Sequence, residues 1–403
     1  MARVLRLLLA AAISVVALVG AVRLIAPPDH TSSVRRQLTF LRSALEDGAA
    51  SQAQAQFPEG YFFLYALYGL SHVDIGDLDA ARWALSRIDS AEGREPFDAG
   101  LTPAYGVFYR GWLNWLRGGI LLHEPAATRD PAETAAFERD SADLAAAFDA
   151  SPTPFLAAYP GQAWPVDSTV AVASLALHDK LVTPAYGPTI ERWLSGVRVN
   201  LDPATGLMPH TADVDTGLPT AGARGTSQSI IQRFLPEIDP EFGRAQYLRF
   251  RDTFLARPLG LGPAVREYPR GTDGPADVDS GPLPLGISLS ATVVTVGAAK
   301  VQGDEPLADA LANFGEVLGV PIDTWHTRRY AFGLVPIGDA FLAWSKSARP
   351  WVATAPAAPP ATISGWWRLP LLTFFLLMGT GPWLVRAGWR RNRSRRSKIA
   401  FRI

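Results

Sequence analysis

Apolar residues fall along this chain in two patterns. At each end they form an unbroken run, at residues 7–22 and 369–385. Both runs are slightly shorter than the ~20 residues of a membrane-crossing helix. Arg3, Arg6 and Arg23 flank the first, and Arg368 and Arg386 the second. Arginine stems reach to the lipid headgroups and make up such a deficit. Trp366, Trp367, Trp383 and Trp389 bracket the second run as interfacial anchors. Between the ends, helical spacing prevails. Ser32 caps a predicted helix over 33–45, with Leu38, Leu41 and Leu45 on one face. Asp77 opens a helix over 80–88. Pro131 starts one through 148, with Glu133 in its first turn. Asp239 caps one that runs to about 255. The stretches 169–177, 285–301, 305–318 and 332–344 complete the set, and roughly ten to twelve helices fit.

The connectors between these helices are rich in Gly and Pro. Thr102-Pro103-Ala104-Tyr105-Gly106 followed by Trp112-Leu113 recurs as Thr183-Pro184-Ala185-Tyr186-Gly187 followed by Trp193-Leu194, 81 residues on. That interval suits two helical hairpins, with Pro starting a helix and Tyr and Trp on its buried face. The expected fold is all-α, an (α/α)6-type toroid of helical hairpins with rim loops at one end, flanked by an N-terminal and a C-terminal transmembrane helix. An open solenoid is the alternative. The expected boundaries are an N-terminal membrane helix at 1–26, a toroid at 27–350, a Pro/Ala-rich linker at 351–365, a C-terminal membrane helix at 366–388 and a basic tail at 389–403.

Charge sharpens this division. Formal net charge is zero. Twelve of the 38 basic residues lie in the two ends, three in 1–26 and nine in 366–403, with no acid beside them. The middle therefore holds 26 basic against all 38 acidic residues, which disfavours nucleic acid as a partner. The basic tail places the C-terminus in the cytoplasm, and Arg3 and Arg6 favour a cytoplasmic N-terminus too. The main domain is then expected outside the cytoplasmic (inner) membrane, with the lipid bilayer as its partner. Val19-Gly20-Ala21 leaves open that the first segment is a cleaved signal peptide. The chain has no cysteine, which excludes disulfides, thiolate metal sites and a cysteine nucleophile.

The most concentrated carboxylates are two near-identical pentapeptides 64 residues apart, Asp213-Val214-Asp215-Thr216-Gly217 and Asp277-Val278-Asp279-Ser280-Gly281. They contain the Asp-Thr-Gly and Asp-Ser-Gly of aspartic proteases. Such a dyad needs flanking apolar strands, and neither motif has one. Nor is either an EF-hand loop, because Ser288 stands twelfth from Asp277 where Glu is required. No His-Glu-x-x-His occurs, and no metal or cofactor is expected. A third Val-Asp-Ser stands at 166–168, and all three triplets precede predicted helices. If these loops share one rim, Asp167, Asp215 and Asp279 converge on one pocket, where paired carboxyls divide acid and base roles. The alternative is that each is a helix cap.

Asp167 and Asp279 are the leading acid/base pair, with Asp215 and His210 next. Tyr159 and Trp164 are candidates for a substrate platform, and Arg224, Gln228, Asp213 and Asp277 for polar substrate contacts. The aromatic run Tyr61-Phe62-Phe63-Leu64-Tyr65 reads either as core or as a pocket wall.

The segment Tyr159-Pro160-Gly161-Gln162-Ala163-Trp164-Pro165-Val166-Asp167-Ser168, together with Asp277-Val278-Asp279-Ser280-Gly281-Pro282, resembles bacterial membrane-attached (α/α)6 toroid proteins. It is similar to the six-hairpin glycosidase-like superfamily and to the linalool dehydratase-isomerase domain, over about residues 30–350. The resemblance implies a pocket at one end of the toroid and acid/base chemistry on a sugar or a terpenoid alcohol. Linalool dehydratase-isomerase is associated with active-site cysteines, and this chain departs from it there. Three readings follow: a glycoside hydrolase-like enzyme acting on a small-molecule or glycan substrate, a lyase or isomerase of a terpenoid-type alcohol, and a non-catalytic module binding cell-envelope proteins.

Overall fold

Helices apolar on every face are covered by helices apolar on one. The computed structural model describes residues 2–28 and 30–400, with side chains over 4–28 and 31–388. Sixteen α-helices run through the described residues: α1 (Ala2–Ile25), α2 (His30–Glu46), α3 (Ala49–Gln54), α4 (Gly60–Ile75), α5 (Leu78–Ile88), α6 (Ala91–Arg94), α7 (Gly106–Leu122), α8 (Pro131–Ala150), α9 (Pro165–Leu181), α10 (Gly187–Val199), α11 (Gly225–Ile238), α12 (Pro240–Phe254), α13 (Leu289–Val301), α14 (Glu305–Leu318), α15 (Pro336–Ser347) and α16 (Arg368–Ala400). Three short antiparallel hairpins interrupt them. β1 (Thr211–Ala212) pairs with β2 (Pro219–Ala221), β3 (Leu255–Ala256) with β4 (Ala264–Val265), and β5 (Ile322–Asp323) with β6 (Arg328–Arg329).

In α4 every residue from Gly60 to Val73 except Phe63 is buried, and in α9 every residue from Pro165 to His178. A helix without a polar face belongs inside. α7 packs on α9, α9 on α11, α11 on α13, α13 on α15, and α15 on α4, which also meets α7. On the other side of these lie α2, α5, α8, α10, α12 and α14, each against its neighbour in sequence. Small residues allow the tightest approach: a Cβ on Gly111 of α7 would stand 2.9 Å from Ala171 Cβ of α9. Trp112, Phe234 and Trp344 fill the space between helices, with ring centroids 5.4–6.2 Å apart.

Most predicted helices stand where the sequence places them. Asp77 Oδ1 accepts from Ala80 N, and Asp239 Oδ1 from the amides of Glu241 and Phe242. Three starts move. α9 begins at Pro165, so Asp167 lies in its first turn and not in a preceding loop. α13 and α15 begin late because Pro284–Gly286 and Ala331–Gly333 form tight turns with Leu285 at φ 56° and Phe332 at φ 62°. Pro258–Gly260 repeats the turn with Leu259 at φ 54°. The 81-residue repeat also changes meaning. Both copies open a helix, and both Trp112 and Trp193 are buried. However, α7 packs among α4, α5, α8 and α9, whereas α10 touches mainly α8 and α9. The interval holds three helices, not two hairpins.

The stretch expected as a linker lies flat on the domain, opposite the Asp167 end. Trp351 stacks on Trp115 at 4.6 Å and 6°. Buried Glu237 accepts the backbone amides of Trp351, Val352 and Ala353 at 2.8, 2.7 and 3.0 Å. Asp304 Oδ1 accepts Ala361 N at 3.2 Å. These bonds hold the chain until it rises into α16.

Val4–Ile25 and Gly365–Gly388 are long and apolar enough to cross a membrane. They pack on each other through small residues. Ser14 Oγ donates to Gly379 O at 2.7 Å, and Trp383 Nε1 donates to Ser14 Oγ at 2.8 Å. At the domain end of α1, Leu24 is buried with Ala310, Phe314 and Trp367. Arg23 pairs with Asp323 at 2.7 Å and donates to Pro321 O at 3.2 Å. The helix of the basic tail continues to Ala400, and Phe401–Ile403 lie outside the described residues.

Candidate functional site

Four long helices point their N-termini at one place. Glu59 stands at the N-cap position of α4 and Arg224 at that of α11, neither with a side-chain cap bond; Asp167 sits in the first turn of α9, and the Asp277–Gly281 turn lies in the segment leading to α13. Helix N-termini carry partial positive charge and favour acidic side chains, and here three carboxylates compete for that field.

Asp167 is the innermost. It is 7% exposed. Burial first, then the charges of Glu59 and Asp279, push it well above the ordinary aspartate range. Both effects favour its protonated form. Tyr159, on the approach to α9, donates its hydroxyl to Glu59 Oε1. Burial, then Glu59, raises the phenol, with Asp167 and Asp279 adding to the effect. Trp164 packs edge-on against Tyr159 at 5.9 Å.

Asp279 is the outermost of the three. Its residue surface is exposed. Desolvation, then Asp277 and Glu59, push it up to about 6. Its place is fixed by the turn around it. Asp277 Oδ1 accepts Ser280 N at 2.9 Å, Asp277 O accepts Gly281 N at 3.0 Å, and Gly281 takes φ 62°. Asp277 Oδ2 meets Arg224 Nη1 at 2.5 Å. Arg224 Nε reaches fully buried Glu267 at 2.7 Å, and Thr226 Oγ1 donates to the same carboxylate at 2.8 Å. Arg224 Nη2 is buried and unpartnered.

The other twin makes the same turn elsewhere. Asp213 Oδ1 accepts Thr216 N at 2.8 Å and Asp215 N at 3.1 Å, and Gly217 takes φ 72°. These bonds hold the Asp213 carboxyl below its ordinary range. The turn closes the β1–β2 hairpin and packs on Thr153 and Pro154. Asp215 is exposed, and neither it nor Asp213 is among the charges that act on Asp167 or Asp279. Identical turn chemistry thus gives one carboxylate at the site and one in solvent.

His210 is buried, contrary to the surface position of most loop histidines. Its Nδ1 is 2.6 Å from Ser227 Oγ, and its Nε2 faces Arg224 Nη1 at 3.5 Å. Arginine only donates, so Nε2 accepts, and Nδ1 carries the hydrogen toward the serine. Burial, then Arg224, hold the imidazole at about 4. A neutral histidine with its lone pair turned to a cation does not activate Ser227, so this is no Ser-His-Asp triad. Gln228 is also removed from substrate contact. It is fully buried, donates to Met208 O at 2.6 Å and accepts from Gln232 at 3.0 Å. Phe62 packs against Phe97, Phe108 and Tyr109 as core.

Sequence reasoning missed Glu59 and Glu267. Glu59 carried a signal, since Pro58-Glu59-Gly60 opens the aromatic run of α4. Glu267 carried none, being a single acid just after the short strand β4. Two open surface grooves lie elsewhere along α12, one around Arg249, Thr253 and Arg270, the other around Arg251, Arg257, Arg266 and Ile363. Neither is lined by Asp167 or Asp279.

No protein-family model matches this chain, and comparison with curated proteins gives no significant match.

Proposed function

We infer that the cluster is an acid/base site, with Asp167 as the acid and Asp279, helped by Glu59, as the base. The observation that carries this reading is the buried Asp167 carboxyl beside the carboxyl groups of Glu59 and Asp279. Environments that pull neighbouring carboxyls apart in pKa assign one the proton and the other the charge. Burial and its two acidic neighbours favour the protonated form of Asp167, while Asp279 loses its proton near pH 6. Arg224 holds the Asp277 turn and so sets the position of Asp279.

The six-hairpin toroid is part of this reading. It is supported by the succession of helix contacts from α4 through α7, α9, α11, α13 and α15 back to α4, and by the shared N-terminal ends. The polar lining favours a polar substrate, and a carbohydrate hydrolysed by paired carboxyls fits it best. A terpenoid-alcohol lyase, with an apolar pocket walled by Phe62 and Phe63, has less support, since Phe62 is core. The membrane part of the reading keeps both termini in the cytoplasm and the helical domain outside, on the weight of the basic tail.

The test is turnover of a panel of aryl glycosides by the full chain in detergent. Asp167→Asn and Asp279→Asn are each expected to lower the rate about 10²–10⁴-fold, the usual worth of a positioned acid or base. The rate should rise through about pH 6 as Asp279 ionises and fall at higher pH where Asp167 loses its proton. If both substitutions leave turnover unchanged, the acid/base assignment is wrong.

A further inference from the structure

We propose that the rim around the Asp167–Asp279 mouth is a membrane-contact surface, whose apolar turn tips dip into the same bilayer that α1 and α16 cross.

The rim carries side chains that a water-facing loop has no reason to hold. Leu259, Leu285 and Phe332 are 82%, 62% and 62% exposed, each at the centre of a tight turn ending in glycine. All three take left-handed backbone, which bulky side chains avoid. The repeated geometry turns an apolar group outward three times. Val278, Leu334 and Val335 are exposed beside them. Trp325 follows β5 at the tip of its hairpin and is 94% exposed. Exposed apolar groups gathered at one end mark a protein or lipid contact.

These turns lie at the end of the molecule that holds the site. Leu285 leads into α13 beside the Asp279 turn, since Ser290 Oγ donates to Asp279 O at 2.5 Å. Phe332 leads into α15, whose Phe341 meets Phe63 in the first turn of α4 at 5.4 Å. α15 and α4 therefore start at the same level, where Glu59 stands at the N-cap position of α4.

The occupant follows from where the spans leave. Arg23, at the domain end of α1, binds Pro321 O and Asp323 in the loop that carries Trp325 and continues to Phe332. Leu261, two residues beyond Leu259, packs in the cluster of Leu24 and Trp367 where both spans begin. Trp366 is 75% exposed at that junction. The turn tips, an exposed tryptophan and Arg257 next to Leu259 make the mixture of apolar, aromatic and basic groups that settles at lipid headgroups. A mouth laid there receives an amphiphile, with its polar head among the carboxyls and its tail in the bilayer.

This inference rests on the membrane reading of α1 and α16, and the test separates the two. The chain has no cysteine, so single cysteines carry nitroxide labels without background. Full-length Leu285→Cys and Phe332→Cys go into phosphatidylethanolamine/phosphatidylglycerol nanodiscs. Leu8→Cys and Leu376→Cys report the lipid-facing sides of the spans. Ala127→Cys, in the connector after α7 at the opposite end, reports water. Relaxation by oxygen, which prefers lipid, is compared with relaxation by a water-soluble nickel chelate. The expected result is that labels at 285 and 332 shift toward oxygen as those at 8 and 376 do, while the label at 127 shifts toward nickel. If 285 and 332 follow 127 while 8 and 376 report lipid, the rim proposal fails and the spans stand. If 8 and 376 also report water, both readings fall. Unchanged thermal unfolding of each labelled chain shows that the fold survived.

Discussion

Burying Asp167 has a consequence for stability that is independent of any substrate. Its folded pKa lies above the ordinary aspartate value of 3.8. Above pH 3.8, the unfolded chain releases a proton that the folded protein keeps, so stability falls as pH rises through that window. Asparagine fills the same space without the charge. Asp167→Asn is therefore expected to raise stability at neutral pH by about 1–2 kcal/mol, as removal of a strained functional group commonly does. The gain should vanish near pH 3.5, and thermal melts across pH measure it. A gain that is flat with pH would argue that the effect is packing and not ionisation. The twin turns show what a residue's immediate neighbours decide. Asp213 and Asp277 make the same bonds to Thr216 and Ser280 because Asp-x-Asp-Ser/Thr-Gly is sufficient for the turn. Arg224 lies near only one of them, and no local pattern announces that.

Among the elements, the segment after α15 behaves least as its composition suggests. Ala and Pro from 355 to 362 predict a loose tether. The structure binds it through Glu237, whose carboxylate accepts three consecutive amides. Glu237→Ala leaves those amides without their acceptor and opens a void at the ends of α11 and α15. The expected cost is about 3 kcal/mol, in the range for breaking a buried polar network. Chemical unfolding in detergent and protease cleavage within 352–362 both report it. Destabilisation without new cleavage would show that the strap is held by Trp351 stacking instead. Helix starts marked by Asp or Pro were legible because capping is local: Asp77, Asp239 and Pro131 all stand at theirs. The late starts of α13 and α15 were not, because left-handed Leu285 and Phe332 follow from tertiary placement of the turns and not from residue preference.

At the scale of the whole molecule, the two ends of the chain meet. α1 and α16 pack through Ser14, Ala17, Gly20 and Gly379, and a Cβ on Gly379 would stand 3.2 Å from Ala17 Cβ. Small residues at such a contact let helices approach closely in lipid. A chain carrying Ala17→Cys and Gly379→Cys is expected to form an intramolecular disulfide on mild oxidation in membranes, read as a gel-mobility shift at unchanged monomer mass. Cross-linking only between chains would show that the spans pair with another copy. The sequence by itself determined the helical class, the two apolar ends and the absence of cysteine chemistry, and it singled out Asp167 and Asp279 as candidates. Those depend on periodicity, composition and residue type, which act over a few positions. Only the tertiary structure decided that Glu59 and Glu267 gather with Asp167, Asp279 and Arg224, that Asp213, Asp215 and Gln228 do not, and that His210 is neutral. Each of those depends on charges and burial brought together across tens to hundreds of residues, and desolvation is a property of the assembled interior.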